Sequence, residues 1–105
     1  MRYLVWGTGG PGFASPEEAK DVLMNIVLPN FDQLNQLEKD KKILAGGLPV
    51  GERAFVFIAE AASNDELDQM LRNLPMWGVL DWEVTPLQTF SGRAEMERKA
   101  VKEIK

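Results

Sequence analysis

The chain of 105 residues contains neither cysteine nor histidine. Without cysteine it can form no disulfide, no thiolate metal site and no cysteine nucleophile. Without histidine it lacks the usual general base, the commonest metal ligand and a common axial ligand of haem iron. We therefore expect a protein without metal or cofactor, in which Asp, Glu, Lys or Tyr carries out any proton transfer.

Basic residues are outnumbered: 12 Lys and Arg stand against 16 Asp and Glu, for a net charge of −4. This balance disfavours nucleic acid as a partner, because a phosphate backbone is bound by neutralising its charge. No apolar run approaches the ~18 residues of a membrane span, and no signal peptide is recognisable. We therefore expect a cytoplasmic protein without a membrane partner.

The length predicts one domain, because ordinary domains run to about 100–150 residues. Hydrophobic residues make up 45% of the chain and charged residues 27%, the balance of a globular protein with its own core. A chain this short leaves much of its surface exposed, which favours self-association.

One glycine-rich motif, GTGGPG at residues 7–12, has the G-x-G-x-x-G spacing of dinucleotide-binding loops. In such a loop the helix begins at the last glycine, and its N-terminus faces the pyrophosphate. Here Pro11 has no N–H to offer, and the capping signal SPEE at residues 15–18 starts the helix beyond the motif. The motif is therefore interpreted as a structural turn.

The remaining pattern predicts six core elements and a tail. Strands are predicted at residues 2–8, 43–45, 53–60 and 79–90, helices from Pro16 to residues 39–42 and after a Ser63 cap, a loop at residues 46–52, and a charged tail at residues 95–105. Pro29 is expected to kink or divide the first helix, and Pro86 to bend the last strand or mark it as an edge.

The order strand, helix, strand, strand, helix, strand is that of an α+β, ferredoxin-like split βαβ (βαββαβ) domain. In this arrangement two helices cover one face of the sheet and the other face is left bare. A bare apolar face predicts a partner.

Residues 71–87, LRNLPMWGVLDWEVTPL, resemble the C-terminal half of the muconolactone isomerase family. The shared features are a helix ending in Leu-Pro, an aromatic residue and an Asp-x-Glu-Val strand, and a looser similarity extends over residues 2–87. The resemblance implies a ferredoxin-like domain at residues 1–90, with residues 91–105 as a helical extension. It also implies a dimeric α+β barrel, formed by sheets that pair face to face, in a homodimer or a larger ring.

The same resemblance implies a cofactor-free enzyme that moves a proton within a small lactone or aromatic-derived metabolite. The general base implied by the family is a glutamate on the first helix, and the ungapped match places that position near Asn30, whose amide cannot act as a base. Asp32, two residues further on, is the candidate to replace it.

Alternation along the strands divides the side chains between the two faces of the sheet. The side predicted to pack against the helices consists of Ala54, Val56, Ile58, Trp82 and Val84. The open face is predicted to collect Arg53, Phe55 and Phe57 from the third strand, and Asp81, Glu83 and Thr85 from the last strand. Alternation leaves the first strand ambiguous, and the resemblance to the family implies that Leu4, Trp6 and Thr8 lie on the same side.

This open face is interpreted as a ligand pocket. Arg53 would anchor a carboxylate or enolate of the substrate, with Trp6, Phe55 and Phe57 as apolar walls. In the competing interpretation the charged groups form an ion-pair network at a subunit interface, and the tryptophans are core and interface anchors.

Asp81 and Glu83 are the predicted proton carriers of this pocket, besides Asp32 on the helix. Two functions follow and stay open at this point. The first is a small cofactor-free enzyme of the isomerase, lyase or cyclase type. The second is a non-catalytic barrel that binds a small molecule or only assembles, having lost the active site of the family.

Overall fold

The computed structural model describes residues 1–10 and 12–104. Pro11, in the predicted turn, and Lys105, at the end of the predicted tail, lie outside the described residues. The strands are β1 (Arg2–Gly9), β2 (Ile43–Gly47), β3 (Ala54–Glu60) and β4 (Leu80–Leu87). The helices are α1 (Pro16–Val22), α2 (Leu28–Lys39), α3 (Asn64–Arg72) and α4 (Phe90–Glu103), with a π-helical segment at Leu23–Val27 and a 3₁₀ turn at Trp77–Val79.

The strands form one antiparallel sheet in the order β2-β3-β1-β4. This order confirms the predicted α+β split βαβ arrangement. β4 lies at an edge, where Pro86 is tolerated because no further strand needs its missing N–H. β2, at the other edge, extends through Gly46 and Gly47, which were predicted to belong to a loop.

The first helix begins as the sequence predicts. The Ser15 Oγ accepts a hydrogen bond from the Glu18 N–H at 3.1 Å, and the Glu18 carboxylate accepts one from the Ala14 N–H at 3.0 Å. The first bond satisfies a backbone donor that the first turn of a helix leaves unpaired, and the second fixes the chain just before the N-cap. The helix therefore starts at Pro16, past the glycine-rich motif.

Pro29 does not divide the helix, since helical residues run without a break from Pro16 to Lys39. The π-helical segment Leu23–Val27 lies directly ahead of it, and the Leu28 N–H donates to the Leu23 carbonyl, one residue further back than in an α-helix. Pro29 cannot donate a helical hydrogen bond, and the wider turn before it accommodates that loss. The helix continues as α2 to Lys39.

The core lies between the sheet and the helices, and four aromatic rings form a chain through it. The Phe55 ring centroid lies 6.1 Å from that of Phe57 and 5.7 Å from that of Trp82, which stacks on Trp77 at 5.7 Å. The Arg72 guanidinium lies over Trp77, the last of these four rings, 5.0 Å from its centroid. Trp77 and Trp82 are therefore packing residues, in agreement with the prediction.

β3 presents the opposite face to the one predicted. Phe55 and Phe57 are each only 4% exposed and lie on the helix side of the sheet. Their strand partners are Gly7 and Gly46, and a Cβ atom there would come within 2.9 Å of the Phe55 ring and within 2.6 Å of the Phe57 Cβ. Gly7 thus makes room for the Phe55 ring, and Gly46 lets the backbone of β2 lie close to β3 at Phe57. The residues that the prediction placed under the helices, Val56 and Ile58, lie half-buried on the open face.

α4 extends away from this domain. It begins at Phe90, earlier than the predicted tail, and none of its side chains is buried. The molecule measures 69 × 26 × 20 Å, and its radius of gyration is 17.9 Å, whereas a compact chain of this length has about 13 Å. Within residues 1–10 and 12–104, no helix is both long enough and apolar enough to cross a membrane.

Candidate functional site

A groove runs between the first helix and the sheet, on the face that carries Phe55. It consists of two adjoining cavities of about 240 and about 190 Å³, which share the side chains of Phe31, Leu48 and Phe55. Phe31 comes from α2, Leu48 from the loop after β2 and Phe55 from β3. We call this continuous space the groove.

The helix contributes one face to the groove. Val27 and Phe31 line the smaller cavity, and Phe31, Asn35 and Glu38 line the larger one. Residues three, four and seven positions apart lie on one side of a helix, so the groove follows the helix axis.

Arg53 lines the smaller cavity, among side chains that are otherwise apolar. Its carbonyl accepts a hydrogen bond from the Gly9 N–H at 3.0 Å, which ties the residue to the end of β1. Gly10 has φ +119°, and a Cβ atom there would lie 3.7 Å from Arg53 Nη2 and 3.3 Å from Met76 Cε. The φ of Gly10 is one that other residues rarely adopt, so the glycine-rich turn depends on glycine for its backbone conformation beside Arg53 and Met76.

Glu38 lies in the wall of the larger cavity, and its side chain is exposed to solvent. It is the carboxylate that the sequence analysis missed. The helical spacing in the sequence could have identified it, because Glu38 follows Phe31 by seven positions and therefore lies on the same face of the helix. The groove thus has a cation in one part and a carboxylate in the other.

The predicted pocket is divided between two faces. Arg53, Phe55 and Phe57 belong to the helix side, whereas Trp6 is paired with Glu83, and Thr8 with Asp81, on the open side of the sheet. The predicted faces of the β1 and β4 side chains are correct, and the predicted face of the β3 side chains is wrong. The residues of the predicted pocket therefore do not meet within one chain. Phe57 also belongs chiefly to the core, stacked on Phe55.

On the open face, Trp6, Thr8, Asp81, Trp82 and Glu83 line a shallow depression. The Thr8 hydroxyl donates to the Asp81 carbonyl at 3.5 Å. The carboxylates of Asp81 and Glu83 belong to residues that are solvent-exposed. This depression is a second, more open place for a ligand.

Asn30 and Asp32 occupy different environments on α2. Asn30 is completely buried: its Oδ1 accepts a hydrogen bond from the Met76 N–H at 3.1 Å, and its Nδ2 has no partner among the residues that the structure describes. Asp32 is exposed and lines neither cavity of the groove. No group of three or more metal-ligating side chains occurs in the described part of the chain.

The fold and the groove define an α+β domain with a cavity of small-molecule size beneath its first helix. The chain belongs to the muconolactone delta-isomerase family, whose model matches residues 14–92. No curated protein matches the chain significantly in sequence.

The solved structures that match this fold include two enzymes. One is a crystal structure of muconolactone isomerase, which is 20% identical with a TM-score of 0.71 and covers 85% of this chain and 90% of that chain. The other is 5-chloro-2-hydroxyhydroquinone dehydrochlorinase from Burkholderia phenoliruptrix AC1100 in complex with 2,5-dihydroxybenzoquinone. It is 21% identical with a TM-score of 0.64 and covers 87% of this chain and 97% of that chain.

Proposed function

We propose that the protein is a cofactor-free enzyme of the isomerase, lyase or cyclase type, which acts in the groove on a small lactone or aromatic-derived metabolite. The observation that carries this proposal is the placement of Arg53 and Glu38 in an otherwise largely apolar groove. Membership of the muconolactone delta-isomerase family supports it. The two structures with this fold are enzymes named for muconolactone and for a chlorinated hydroxyhydroquinone, both small oxygenated rings.

Substrate binding would use the shared middle of the groove. An apolar cavity of about 150 Å³ holds benzene, and the two cavities here measure about 240 and about 190 Å³. A single planar ring would lie against Phe31 and Phe55. A carboxylate or enolate oxygen of that ring would accept charge-assisted hydrogen bonds from the Arg53 guanidinium.

Glu38 would carry the proton. Its carboxylate would remove a proton from a ring carbon next to a carbonyl, and the electron pair of the broken C–H bond would move to the carbonyl oxygen as an enolate. Arg53 would stabilise that charge, and the protonated Glu38 would return the proton to another carbon of the conjugated system. The net result is a shifted double bond, without any change in oxidation state.

Asp81 and Glu83 remain proposed proton carriers for a ligand bound beside Trp6 on the open face. Arg53 and these two carboxylates belong to opposite faces of the sheet, so the two placements predict different mutational results. Asp32 remains a weaker candidate, because it lines neither cavity.

The test is a turnover assay on a panel of unsaturated lactones and hydroxylated aromatic acids, followed by ultraviolet absorbance. We expect Arg53→Ala to lower kcat/KM by about 10- to 100-fold, and Glu38→Gln to lower kcat by about 10²- to 10⁴-fold. Asp21→Asn is the matched control, since it removes an exposed carboxylate from the first helix at a position that lines neither cavity. Loss of turnover in Asp81→Asn or Glu83→Gln, with Glu38→Gln fully active, would move the site to the open face.

A second candidate function is binding of such a metabolite without chemistry. It is favoured by the smaller cavity, which contains Arg53 but no carboxylate. Calorimetric titration decides between the two: saturable binding that Arg53→Ala abolishes, without turnover of any bound compound, would identify a carrier.

A further inference from the structure

α4 carries an apolar stripe that no part of its own chain covers. Phe90, Val101 and Ile104 are 97%, 68% and 75% exposed. Phe90, Ala94 and Val101 lie on one face of α4, and Ile104 follows directly after the end of the helix. Glu97, which pairs with Arg93, lies between them on the same face. An isolated helix shorter than ~12–15 residues is marginal in water, and α4 has 14 residues. The stripe therefore needs a surface to pack on.

The first helix carries a matching exposed surface. Leu23, Met24 and Leu28 are 41%, 57% and 54% exposed, and we call these three residues the helix patch. Leu23 also lines the smaller cavity of the groove, together with Phe13, which is 49% exposed. The helix patch thus borders the mouth of the groove.

Within one subunit, the apolar stripe of α4 and the helix patch lie at opposite ends of the folded molecule. The smaller cavity is lined by Gly9 and Leu80, which pair at one end of the sheet. α4 starts three residues after Leu87, which pairs with Arg2 at the other end. β4 separates the two ends by about 25 Å, and the 69 Å length of the molecule places α4 further away still.

The charges of the two parts are complementary. Residues 90–105 carry five basic and three acidic side chains, whereas residues 1–89 carry seven basic and thirteen acidic ones. Glu17, Asp21 and Asp32 are exposed on the helix that carries the patch. A second copy of the chain therefore offers α4 an apolar surface within an acidic surrounding.

We propose that α4 of one subunit docks on the helix patch of a second copy of this chain and closes the mouth of its groove. The stripe covers Leu23, Met24 and Leu28, while Arg98 and Lys102 lie near the acidic residues around them. α4 runs from Phe90 to Glu103, and the family model ends at residue 92. Most of α4 therefore lies outside the region that the family model matches. The inference goes beyond the proposed function and does not depend on turnover.

Cross-linking tests the docking directly, because the natural chain has no cysteine and only engineered thiols react. Full-length Met24→Cys protein is mixed with full-length Val101→Cys protein at micromolar concentration and treated with a short bismaleimide. We expect a heterodimeric product at least about tenfold in excess over the same experiment with Met24→Cys and Lys99→Cys, since docking raises the effective thiol concentration. Lys99 lies on the opposite side of α4 from Val101, which makes it the matched control.

Three outcomes would overturn the proposal. Equal yields with Val101→Cys and Lys99→Cys would show random collision, and a dominant Val101→Cys homodimer would show that α4 pairs with another α4. Hydrogen exchange gives the third: docking predicts that protection of the α4 amides rises with protein concentration and is lost in Val101→Glu but kept in Lys99→Glu. Protection that is equally low at every concentration would show that α4 is a free arm.

Discussion

At the scale of single residues, Asn30 is the most constrained polar group of the described chain. It is completely buried, and the bond from the Met76 N–H to its Oδ1 joins α2 to the turn before β4. Buried polar groups normally have partners, so its unpaired Nδ2 is a local cost that the Oδ1 bond offsets. Asn30 therefore has a structural role, because it joins α2 to the turn before β4.

Replacing Asn30 by Ala is expected to lower the free energy of unfolding by about 1–3 kcal/mol or somewhat more, because the Met76 N–H is left buried without an acceptor. Denaturant titration measures the loss. Gln36→Ala on the same helix is the control: its amide makes an exposed bond to Asp40 at 3.0 Å, and its removal should cost less than about 0.5 kcal/mol. Equal losses in the two variants would contradict this account.

Asn30→Asp tests the same environment through pH. The Asp carboxyl would still accept the hydrogen bond from the Met76 N–H. Burial would raise the pKa of this carboxyl in the folded protein above its value of about 3.9 in the unfolded chain. A raised folded pKa contributes stability that is fully present below the unfolded pKa and is lost as pH rises through the folded pKa. We therefore expect the variant to be less stable relative to the wild type at pH 7 than at pH 5; a pH-independent difference would show that water reaches the site.

At the scale of elements, the sheet depends on one close approach between β2 and β3. A Cβ atom on Gly46 would lie 2.6 Å from the Val56 carbonyl oxygen and 2.6 Å from the Phe57 Cβ. Backbone atoms of a central strand cannot move aside cheaply. A Cβ atom on the next residue, Gly47, would have no other atom within 4 Å.

Gly46→Ala is therefore expected to destabilise the protein by about 1–3 kcal/mol, as overpacking does, whereas Gly47→Ala should be neutral or slightly stabilising. Thermal unfolding of the two variants gives the comparison. If both tolerate alanine equally, β2 is not held against β3 as described.

The elements and their order could be predicted from local signals, but the faces of β3 could not. Ser15, Ser63 and the prolines mark ends that depend on neighbouring residues alone. Alternation separates the side chains of β3 into two sets, yet it does not say which set meets the helices. Here the partners in the adjacent strands decide, because Gly7 leaves space for the Phe55 ring on one side only.

The candidate site shows the same limit. Arg53 and Phe55 were singled out correctly as neighbours on one side of the sheet, but Trp6, Asp81 and Glu83 were assigned to that side through the wrong β3 face. Glu38 could be recognised as a site residue only once the structure showed that its helix lines the groove. A site formed between elements depends on their packing, which one sequence specifies only through side-chain shape.

At the scale of the whole molecule, we expect the preceding domain to fold without α4. No α4 side chain is buried, so a chain ending at Thr89 should fold with a midpoint of denaturation close to that of the full chain at high dilution. Its radius of gyration, measured by X-ray scattering, should fall from the 17.9 Å of the full chain towards about 13 Å. An unfolded truncated chain would show that α4 supports the core after all.

The aromatic chain in the core gives the protein an optical property. Phe55 lines the groove and contacts Trp82, which stacks on Trp77 under the Arg72 cation. Two indoles stacked in this way form a chiral chromophore pair, whose near-ultraviolet circular dichroism depends on their mutual angle. A ligand that presses on Phe55 acts on that angle through a single ring contact, so occupancy of the groove can be followed in the unlabelled protein.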